Sequence, residues 1–352
     1  MADFLLAASV FFETHYIPVV AGALLALAAL TLRRRSVLLL ALLLAFVAVP
    51  LLKYAFADPR PCADGVAKIA CPSDFGMPSA HAAVSAIFAI AALGSPVFYV
   101  LAPLGLFVSY SRIYLGVHSL AQVAGGVAMG ISSYWLAASL HARFIRKGSR
   151  QFSGVKAQHP RSPGLETRRQ AIHLVFGVFL VSLGIAFGKS FLIESLLAML
   201  AGLLLLVHLR LGGVKVWFFE LVLEVFERKD VELPGRGALH YLVGSLLVAA
   251  FARDFNFALA AIAILAVGDG LATLVGTHYG RIRLPWHRHK SLEGSAAFFA
   301  GGAVAAFPLV GFASLAYAFG LAVIESLPID ADDNLLVPLS AIALNYFAKL
   351  AV

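Results

Sequence analysis

The amino-acid sequence predicts an all-α, polytopic membrane protein of about twelve transmembrane helices in two fused helical bundles. Hydrophobic residues make up 61% of the 352 positions and charged residues only 13%, whereas charged residues are about a quarter of a soluble domain. Apolar runs near the length of about 20 residues that spans a bilayer recur along the chain. Between two groups of these runs, residues 146–168 form a polar, basic segment with glycines and prolines, as expected of a cytoplasmic linker.

The predicted spans fall into a first domain, residues 1–145, and a second domain, residues 169–352. The spans are residues 17–32, 36–56, 80–95, 97–115, 120–141, 171–188, 190–207, 237–252, 255–275, 293–306, 308–327 and 335–351. Residues 4–12 are apolar but too short to cross, so we expect an interfacial helix or an extension of the first span there. Residues 209–236 mix aromatic and charged side chains, which favours an interfacial helix over a plain cytoplasmic loop.

Basic residues predict how the chain is oriented in the cell membrane. Arg33, Arg34 and Arg35 follow the first predicted span, and a second basic cluster begins at Arg143; loops rich in arginine and lysine stay in the cytoplasm. Counting spans from these loops places the end of the second span outside and residues 276–292 inside. The formal net charge of +8 lies mainly in the cytoplasmic segments, for which anionic lipid headgroups suffice as partners. Nucleic-acid binding is not expected.

Three short motifs at the ends of apolar runs in the first domain supply the groups needed to hold and cleave a phosphate ester. Lys53, Arg60 and Arg112 provide a point charge and two planar guanidinium groups that match phosphate oxygens. His118 is suited to attack phosphorus while His81 protonates the leaving oxygen, because histidine changes its protonation state near neutral pH. The first domain therefore carries a candidate phosphatase site.

The motifs Lys-x6-Arg-Pro, Pro-Ser-Ala-His and Ser-Arg-x5-His, in this order, resemble the signature of the type 2 phosphatidic-acid phosphatase superfamily. These are membrane enzymes that remove phosphate from lipid phosphates and polyprenyl diphosphates without a metal. The resemblance implies that His118 forms a phosphohistidine, that His81 is the general acid, and that this site needs no cofactor. Ser79 adds a hydroxyl group at the start of a helix, next to the phosphate.

Gln122 departs from the pattern of that superfamily, which has an aspartate at this position to orient the nucleophile. A glutamine side chain can still accept a hydrogen bond from the imidazole. It carries no charge to stabilise a developing imidazolium, so slow turnover is expected.

The two cysteines, Cys62 and Cys71, both lie in the loop between the first two motifs. In an outer, oxidising compartment they would form a disulfide that holds this loop, with a stabilisation of about 2–3 kcal/mol. The alternative is two unpaired thiols. Neither possibility makes the cysteines catalytic.

The second domain carries polar residues of a different kind. Asp269 lies within an apolar span, where an unpaired carboxylate is costly and indicates a partner or a metal. Carboxylates that face a basic loop are typical of a metal-bound triphosphate, because Mg²⁺ binds one or two carboxylates plus phosphate oxygens while arginine and lysine neutralise the transferring group. The candidate residues are Arg169, Asp269, Arg283, Lys290, Ser291, Glu293, Glu325 and Asp333. The chain contains no G-x4-G-K-[ST] string, which excludes a standard P-loop.

The motifs around these residues resemble the family of dolichol kinases, phytol kinases and CTP-dependent diacylglycerol kinases. They are Arg-Arg-x3-His, Gly-Asp-x2-Ala, Lys-Ser-x-Glu-Gly-Ser, and a late glutamate followed by Asp-Asn-x3-Pro, within residues 165–352. The resemblance implies transfer of the γ-phosphoryl group from CTP to a lipid alcohol with the help of Mg²⁺. It assigns metal binding or hydroxyl activation to Asp269, Glu293, Glu325 and Asp333, and phosphate binding to Arg169, Arg283, Lys290 and Ser291.

Together the two domains suggest a bifunctional enzyme of polyprenyl (dolichyl) phosphate metabolism. An outer site would dephosphorylate a polyprenyl monophosphate or diphosphate, and a cytoplasmic site would rephosphorylate the alcohol with CTP. A second hypothesis is a phosphatidate-type phosphatase fused to a kinase for diacylglycerol or a short isoprenoid alcohol. A third is a lipid transporter or scramblase on degenerate enzyme scaffolds, which Gln122 alone favours. The lipid chain, its headgroup and the oligomeric state are left open.

Overall fold

Helices make up most of the chain. The computed structural model describes residues 2–14, 32–65, 67–148, 163–227, 233–329 and 331–350. These residues form an all-α, membrane-type architecture, as predicted, with one small hairpin of two strands. Two compact units are present: Met1–Ala157 with Leu204–Val214, and Gln158–Leu203 with Lys215–Val352.

In the part of the chain that the structure describes, the first unit contains five helices and the last residues of a sixth helix. The helices are α1 (Ala2–Thr14), α2 (Leu32–Phe56), α3 (Ala80–Ala91), α4 (Phe98–Tyr114) and α5 (Leu120–Gly148). A 3-10 turn, Pro61–Asp64, lies in the long loop after α2. Residues 204–214 join this unit through His208, whose Nδ1 accepts a hydrogen bond from the backbone N–H of Gly94 at 3.1 Å.

Glycines allow α3 and α5 to approach each other closely. A Cβ atom at Gly126 would lie 2.4 Å from the carbonyl oxygen of Ser79, and one at Gly130 would lie 2.2 Å from that of Ala83. Small residues permit such close contacts between membrane helices. The packing matters for the candidate phosphatase site, because His81 is in the first turn of α3 and α5 begins just after His118.

The second unit contains α6 (Pro163–Leu211), α7 (Trp217–Phe226), α8 (Arg236–Phe251), α9 (Phe255–Ala263), α10 (Gly270–His278), α11 (Leu292–Val310), α12 (Ala313–Ser326) and α13 (Asp333–Leu350), with the end of α6 belonging to the first unit. Helix α6 is interrupted at Gly188, whose φ of 84° is not helical and suits a residue without a side chain. The interruption coincides with the predicted boundary between the spans 171–188 and 190–207.

A π-helical turn, Ile264–Asp269, joins α9 to α10 and ends at the predicted catalytic aspartate. Such turns are rare and are often found at functional sites. After α10, strands β1 (Arg283–Leu284) and β2 (His287–Ser291) form an antiparallel hairpin. Sequence analysis did not predict this hairpin, because its residues follow no clear alternation of apolar and polar side chains.

Five helical segments in the described part of the chain are long and apolar enough to cross a membrane. They are Ser36–Phe56, Leu120–Arg143, Glu166–Leu211, Phe255–His278 and Leu292–Val310. Several shorter apolar helices accompany them, but the predicted number of twelve spans is not confirmed. The predicted first span, residues 17–32, and residues 149–162 of the predicted linker lie almost entirely outside the described residues.

Candidate active sites

The first unit contains a cavity of about 240 Å³ that the three phosphatase-like motifs surround. It is lined by the five predicted residues Lys53, Arg60, His81, Arg112 and His118, together with Glu13, Asp74, Pro72, Ala80 and Val117. The cavity thus lies where four parts of the fold meet: the end of α2, the start of α3, the end of α4 and the turn before α5. The cavity brings three cations and two imidazoles together with two carboxylates that sequence analysis missed.

Asp74 holds two of the cations in position. The Arg60 guanidinium donates to the Asp74 carboxylate at 2.6 Å and to its backbone carbonyl at 2.9 Å, and the Lys53 ammonium contacts the other carboxylate oxygen. Burial acts to raise the pKa of Asp74, but the hydrogen bonds from Lys53 and Arg60 outweigh it and lower the pKa. The Asp74 carboxylate is therefore ionised at neutral pH, in the place where phosphate oxygens are expected to bind.

Glu13, near the end of α1, holds the third cation, Arg112, as Asp74 holds Lys53 and Arg60. Its carboxylate pairs with the guanidinium of Arg112, a side chain that is 1% exposed, and Arg112 also donates to the Ser111 hydroxyl at 3.0 Å. The Glu13 carboxylate lies 3.9 Å from Nε2 of His81. A phosphate group that binds Arg112 must therefore displace Glu13 or share the guanidinium with it.

His118 is held from both sides of its ring. Nε2 lies 2.9 Å from Nη1 of Arg60, and Nδ1 lies 3.2 Å from Oε1 of Gln122. Burial, and then the positive charges of Arg60 and Lys53, lower the pKa of His118 to about 3. The imidazole is thus neutral in the phosphate-free protein, which is the form that a nucleophile needs.

Ser79 does not line the cavity. It is the N-cap residue of α3 and fully buried, and its hydroxyl has no hydrogen-bond partner among the described residues. Its backbone N–H donates to the carbonyl of Gln122 at 2.9 Å. Ser79 therefore connects the starts of α3 and α5, whereas the predicted contact of its hydroxyl with phosphate stays a prediction.

Cys62 and Cys71 form a disulfide with their Cα atoms 5.5 Å apart. The buried Cys62 side chain packs against Leu115 and Val117. The disulfide closes the loop after α2, and the packing of Cys62 places that loop against the turn that carries His118.

The second unit brings three of the four predicted metal-binding carboxylates together. Asp269, Glu325 and Asp333 each place a carboxylate oxygen within 4.8 Å of the other two. Lys290, on β2, lies 2.6 Å from Glu325 and 3.3 Å from Asp333. Burial acts to lower the pKa of Lys290, but the charges of Asp333 and Glu325 raise it, so the ammonium group stays charged.

The chemistry of this carboxylate cluster fits a divalent cation. Asp269 and Glu325 are buried and Asp333 is half-buried. Among the residues that the structure describes, one lysine, Lys290, pairs with Glu325 and Asp333, so one ammonium group stands beside three carboxylates. Uncompensated buried charge is costly. Carboxylate oxygens are the ligands that Mg²⁺ prefers, with substrate phosphates completing its coordination. Asp269, Glu325 and Asp333 are therefore the residues that would hold the ion.

The other predicted kinase residues make different contacts. Arg169 pairs with Glu166 at 3.0 Å, one turn earlier in α6. The Glu293 carboxylate accepts hydrogen bonds from the backbone of the loop before β1, at 3.1 Å from the N–H groups of Arg281 and Ile282. These contacts place Glu293 at the base of the hairpin rather than among the three clustered carboxylates.

Ser291 caps α11, where its hydroxyl accepts from the backbone N–H of Gly294 at 3.2 Å. Arg283 lies on β1 opposite Ser291 and is exposed. His173, which belongs to the first kinase-like motif, approaches the cluster with Nδ1 3.8 Å from Asp269. The Arg-Arg-x3-His spacing was the signal for this contact, although sequence reasoning left the role of His173 open.

Comparisons with known proteins find different relatives for the N-terminal and C-terminal parts of the chain. The family model for the PAP2 superfamily matches residues 34–146. An uncharacterized protein of Methanocaldococcus jannaschii is 31% identical over 175 residues, which are 49% of this chain and 88% of that protein. No solved structure matches the chain.

Plant proteins named probable phytol kinases are similar to the C-terminal part of the chain. A probable chloroplastic phytol kinase of Glycine max is 31% identical over 131 residues, covering 32% of this chain and 43% of the plant protein. One from Triticum aestivum is 30% identical over 193 residues, covering 49% of this chain and 64% of the plant protein. The chain thus spans less than two thirds of the length of these two plant relatives.

Proposed function

We propose that the protein is a membrane enzyme with two lipid-phosphate sites. The chain belongs to the same family as the archaeal protein, and its residues 34–146 match the PAP2 superfamily. The first unit would remove phosphate from a lipid, and the second would transfer phosphate to a lipid alcohol. The observation that carries this proposal is the convergence of two imidazoles and three cations on one cavity.

In the phosphatase reaction, Lys53, Arg60 and Arg112 bind the phosphate oxygens. The lone pair of His118 Nε2 attacks phosphorus and forms a P–N bond as the P–O bond to the lipid breaks, and His81 donates a proton to the leaving oxygen. The resulting phosphohistidine is hydrolysed when water attacks phosphorus. His81 accepts a proton from that water, so inorganic phosphate leaves and both histidines return to their starting forms.

The second site is proposed to phosphorylate a lipid alcohol with CTP as the donor. Asp269, Glu325 and Asp333 would hold Mg²⁺, which supplies charge stabilisation to the transferring phosphoryl group when bound. Lys290 lies beside this cluster and is placed to neutralise a phosphate oxygen. The resemblance of the motifs to CTP-dependent kinases supports the choice of nucleotide.

For the lipid, we propose a polyprenol and its phosphates, with the phosphatase site open to the outer face and the kinase site to the cytoplasm. Nucleotides are cytoplasmic, so only an inward-facing kinase has access to its donor. Arg33, Arg34 and Arg35 and the cluster after Arg143 support this orientation. The two reactions together would recycle a carrier lipid between its phosphorylated and free forms.

A second candidate substrate is a short isoprenoid alcohol, because the plant relatives are named phytol kinases. Purified protein incubated with labelled CTP and a panel of polyprenols, phytol and diacylglycerol separates these possibilities. Preference for a long polyprenol supports the carrier-lipid proposal, and preference for phytol supports the second candidate. Transfer to none of them would favour the transporter hypothesis.

A further inference from the structure

Every hydrogen-bonding position of the Gln122 amide is occupied. Oε1 accepts from the backbone N–H of Ser119 at 3.1 Å and from Nδ1 of His118 at 3.2 Å. Nε2 donates to a carboxylate oxygen of Asp58 at 2.7 Å and to the carbonyl of Pro59 at 2.8 Å. The amide therefore links the imidazole of His118 to the carboxylate of Asp58.

The partners determine which way round the amide lies. Rotating it by half a turn would point its NH₂ group at the N–H of Ser119 and its oxygen at two acceptors, Asp58 and Pro59. With the amide in the observed orientation, Nδ1 of His118 carries the proton and Nε2 keeps its lone pair. This is the tautomer that nucleophilic attack by Nε2 requires.

The backbone next to Asp58 has an unusual conformation and is held by a hydrogen bond. Ala57, the preceding residue, has a φ of 44°, a conformation that residues other than glycine rarely adopt. The carbonyl of Asp58 accepts from the N–H of Gly76 at 2.8 Å. A Cβ atom at Gly76 would lie 2.3 Å from Nε2 of Gln122, so this glycine leaves the space in which the amide bridges Asp58 and His118.

We propose that Asp58 is a positioning residue of the phosphatase, and that it acts on His118 through the Gln122 amide. The chain would thus keep the carboxylate that its Gln122 position lacks, placed at a variable position inside the first motif and connected to His118 through one amide group. The inference rests on the proposed phosphatase function of the cavity.

The physical basis is the positive charge that develops on the imidazole when Nε2 bonds to phosphorus. A carboxylate hydrogen-bonded to Nε2 of Gln122 polarises the amide, makes Oε1 a stronger acceptor and stabilises the charged imidazole. With this carboxylate in place, turnover should be faster than the uncharged Gln122 alone predicts. Turnover should depend on Asp58, which occupies a variable position of the first motif and not one of its matched positions.

The first test replaces Asp58 with asparagine, which keeps the size of the side chain and removes the charge. We expect kcat for lipid-phosphate hydrolysis to fall by about 10- to 100-fold, the loss typical when the hydrogen-bond partner of a metal-binding histidine is removed, with little change in KM. Asp64→Asn is the matched control, because Asp64 is an exposed carboxylate in the same loop. Equal kcat values for Asp58→Asn and Asp64→Asn would overturn the proposal.

The second test moves the carboxylate. Gln122→Asp alone puts two carboxylates next to each other and should be impaired, whereas Gln122→Asp combined with Asp58→Asn restores one carboxylate beside His118. We expect the double variant to be several-fold more active than either single variant. Additive losses in the double variant would show that Asp58 has a structural role only.

A third measurement separates this inference from the phosphatase proposal itself. In ¹⁵N-histidine-labelled protein, the Nδ1 signal of His118 should indicate a protonated nitrogen and should shift in Asp58→Asn but not in Asp64→Asn. If wild-type protein hydrolyses no lipid phosphate, the phosphatase proposal fails while the signal still decides whether Asp58 acts on His118. An unshifted signal in Asp58→Asn would overturn the inference even in an active enzyme.

Discussion

Nη1 of Arg60 lies 2.9 Å from Nε2 of His118, the nitrogen proposed to attack phosphorus. The same guanidinium donates to the carbonyl of Val117 at 3.0 Å and to Asp74, so its position is determined from several directions. Arg60 thus keeps the nucleophilic nitrogen unprotonated and stands where it can bind an incoming phosphate oxygen. Substrate binding has to replace this contact with one between phosphate and the guanidinium.

The first prediction is that His118 stays neutral in the phosphate-free protein between about pH 5 and pH 8, the range in which an ordinary histidine titrates. Its pKa is lowered to about 3 by burial and by the charges of Arg60 and Lys53, so protonation begins only well below this range. Titration of the His118 signal in ¹⁵N-labelled protein measures this pKa. A bound phosphate offsets the two cations and should raise the pKa.

The His118 signal is assigned by its absence from His118→Ala. An ordinary titration of this signal near neutral pH in phosphate-free protein would contradict the buried, cation-flanked environment.

The second prediction concerns the carboxylate cluster. Asp269→Asn removes one proposed Mg²⁺ ligand with almost no change in shape, so CTP-dependent lipid phosphorylation should fall by about 100-fold or more. Phosphatase activity should be unchanged, because His118 lies in the other unit. The exposed Glu224→Gln is a matched carboxylate-to-amide control. Kinase activity equal to that of this control would argue against a metal at Asp269.

Sequence reasoning identified five of the ten residues that line the candidate phosphatase cavity, because these five occur in short, ordered motifs next to apolar runs. It did not identify Glu13 or Asp74. Glu13 meets Arg112 across 99 residues of sequence and Asp74 meets Lys53 across 21, and neither carboxylate belongs to a recognisable spacing. Such pairs depend on how loops and helices meet, which periodicity alone does not reveal.

In the second unit, too, sequence patterns predict some features and give no signal for others. The break at Gly188 follows from the apolar pattern, because two span-length runs meet there. The π-helical turn that ends at Asp269 and the contact of Glu293 with the loop backbone have no such signal. Glu293 lies in the first turn of α11. The sequence pattern does not distinguish a carboxylate there that binds a metal from one that accepts hydrogen bonds from backbone N–H groups.

The third prediction is that the disulfide supports the phosphatase site. Replacing Cys62 and Cys71 with serine should lower the free energy of unfolding by about 2–3 kcal/mol and lower the temperature of half-inactivation of the phosphatase. Kinase activity should lose less, because Cys62 packs against Leu115 and Val117 next to His118. Adding a reductant should destabilise the wild type but not the double serine variant; equal phosphatase inactivation temperatures without reductant would contradict this role.

The fourth prediction concerns sidedness. In protein whose native cysteines are replaced by serine, a cysteine at Asp64 should react with a membrane-impermeant maleimide added to intact cells. A cysteine at Tyr279, which is 71% exposed, should react only after the membrane is permeabilised. Labelling of both positions from one side would mean that the two sites share a membrane face, and the recycling of a lipid across the membrane would have to be abandoned.

The central claim is that one chain both adds phosphate to a lipid alcohol and removes it. The most direct measurement uses purified protein in mixed micelles with a polyprenol, Mg²⁺ and CTP labelled at the γ-phosphate, followed over time. Wild-type protein should pass label first into polyprenyl phosphate and then into inorganic phosphate. His118→Ala should accumulate labelled polyprenyl phosphate, and Asp269→Asn should form labelled lipid at least about 100-fold more slowly than wild type. The account would be contradicted if His118→Ala released inorganic phosphate from the lipid at the wild-type rate. It would also be contradicted if neither wild type nor His118→Ala formed labelled lipid.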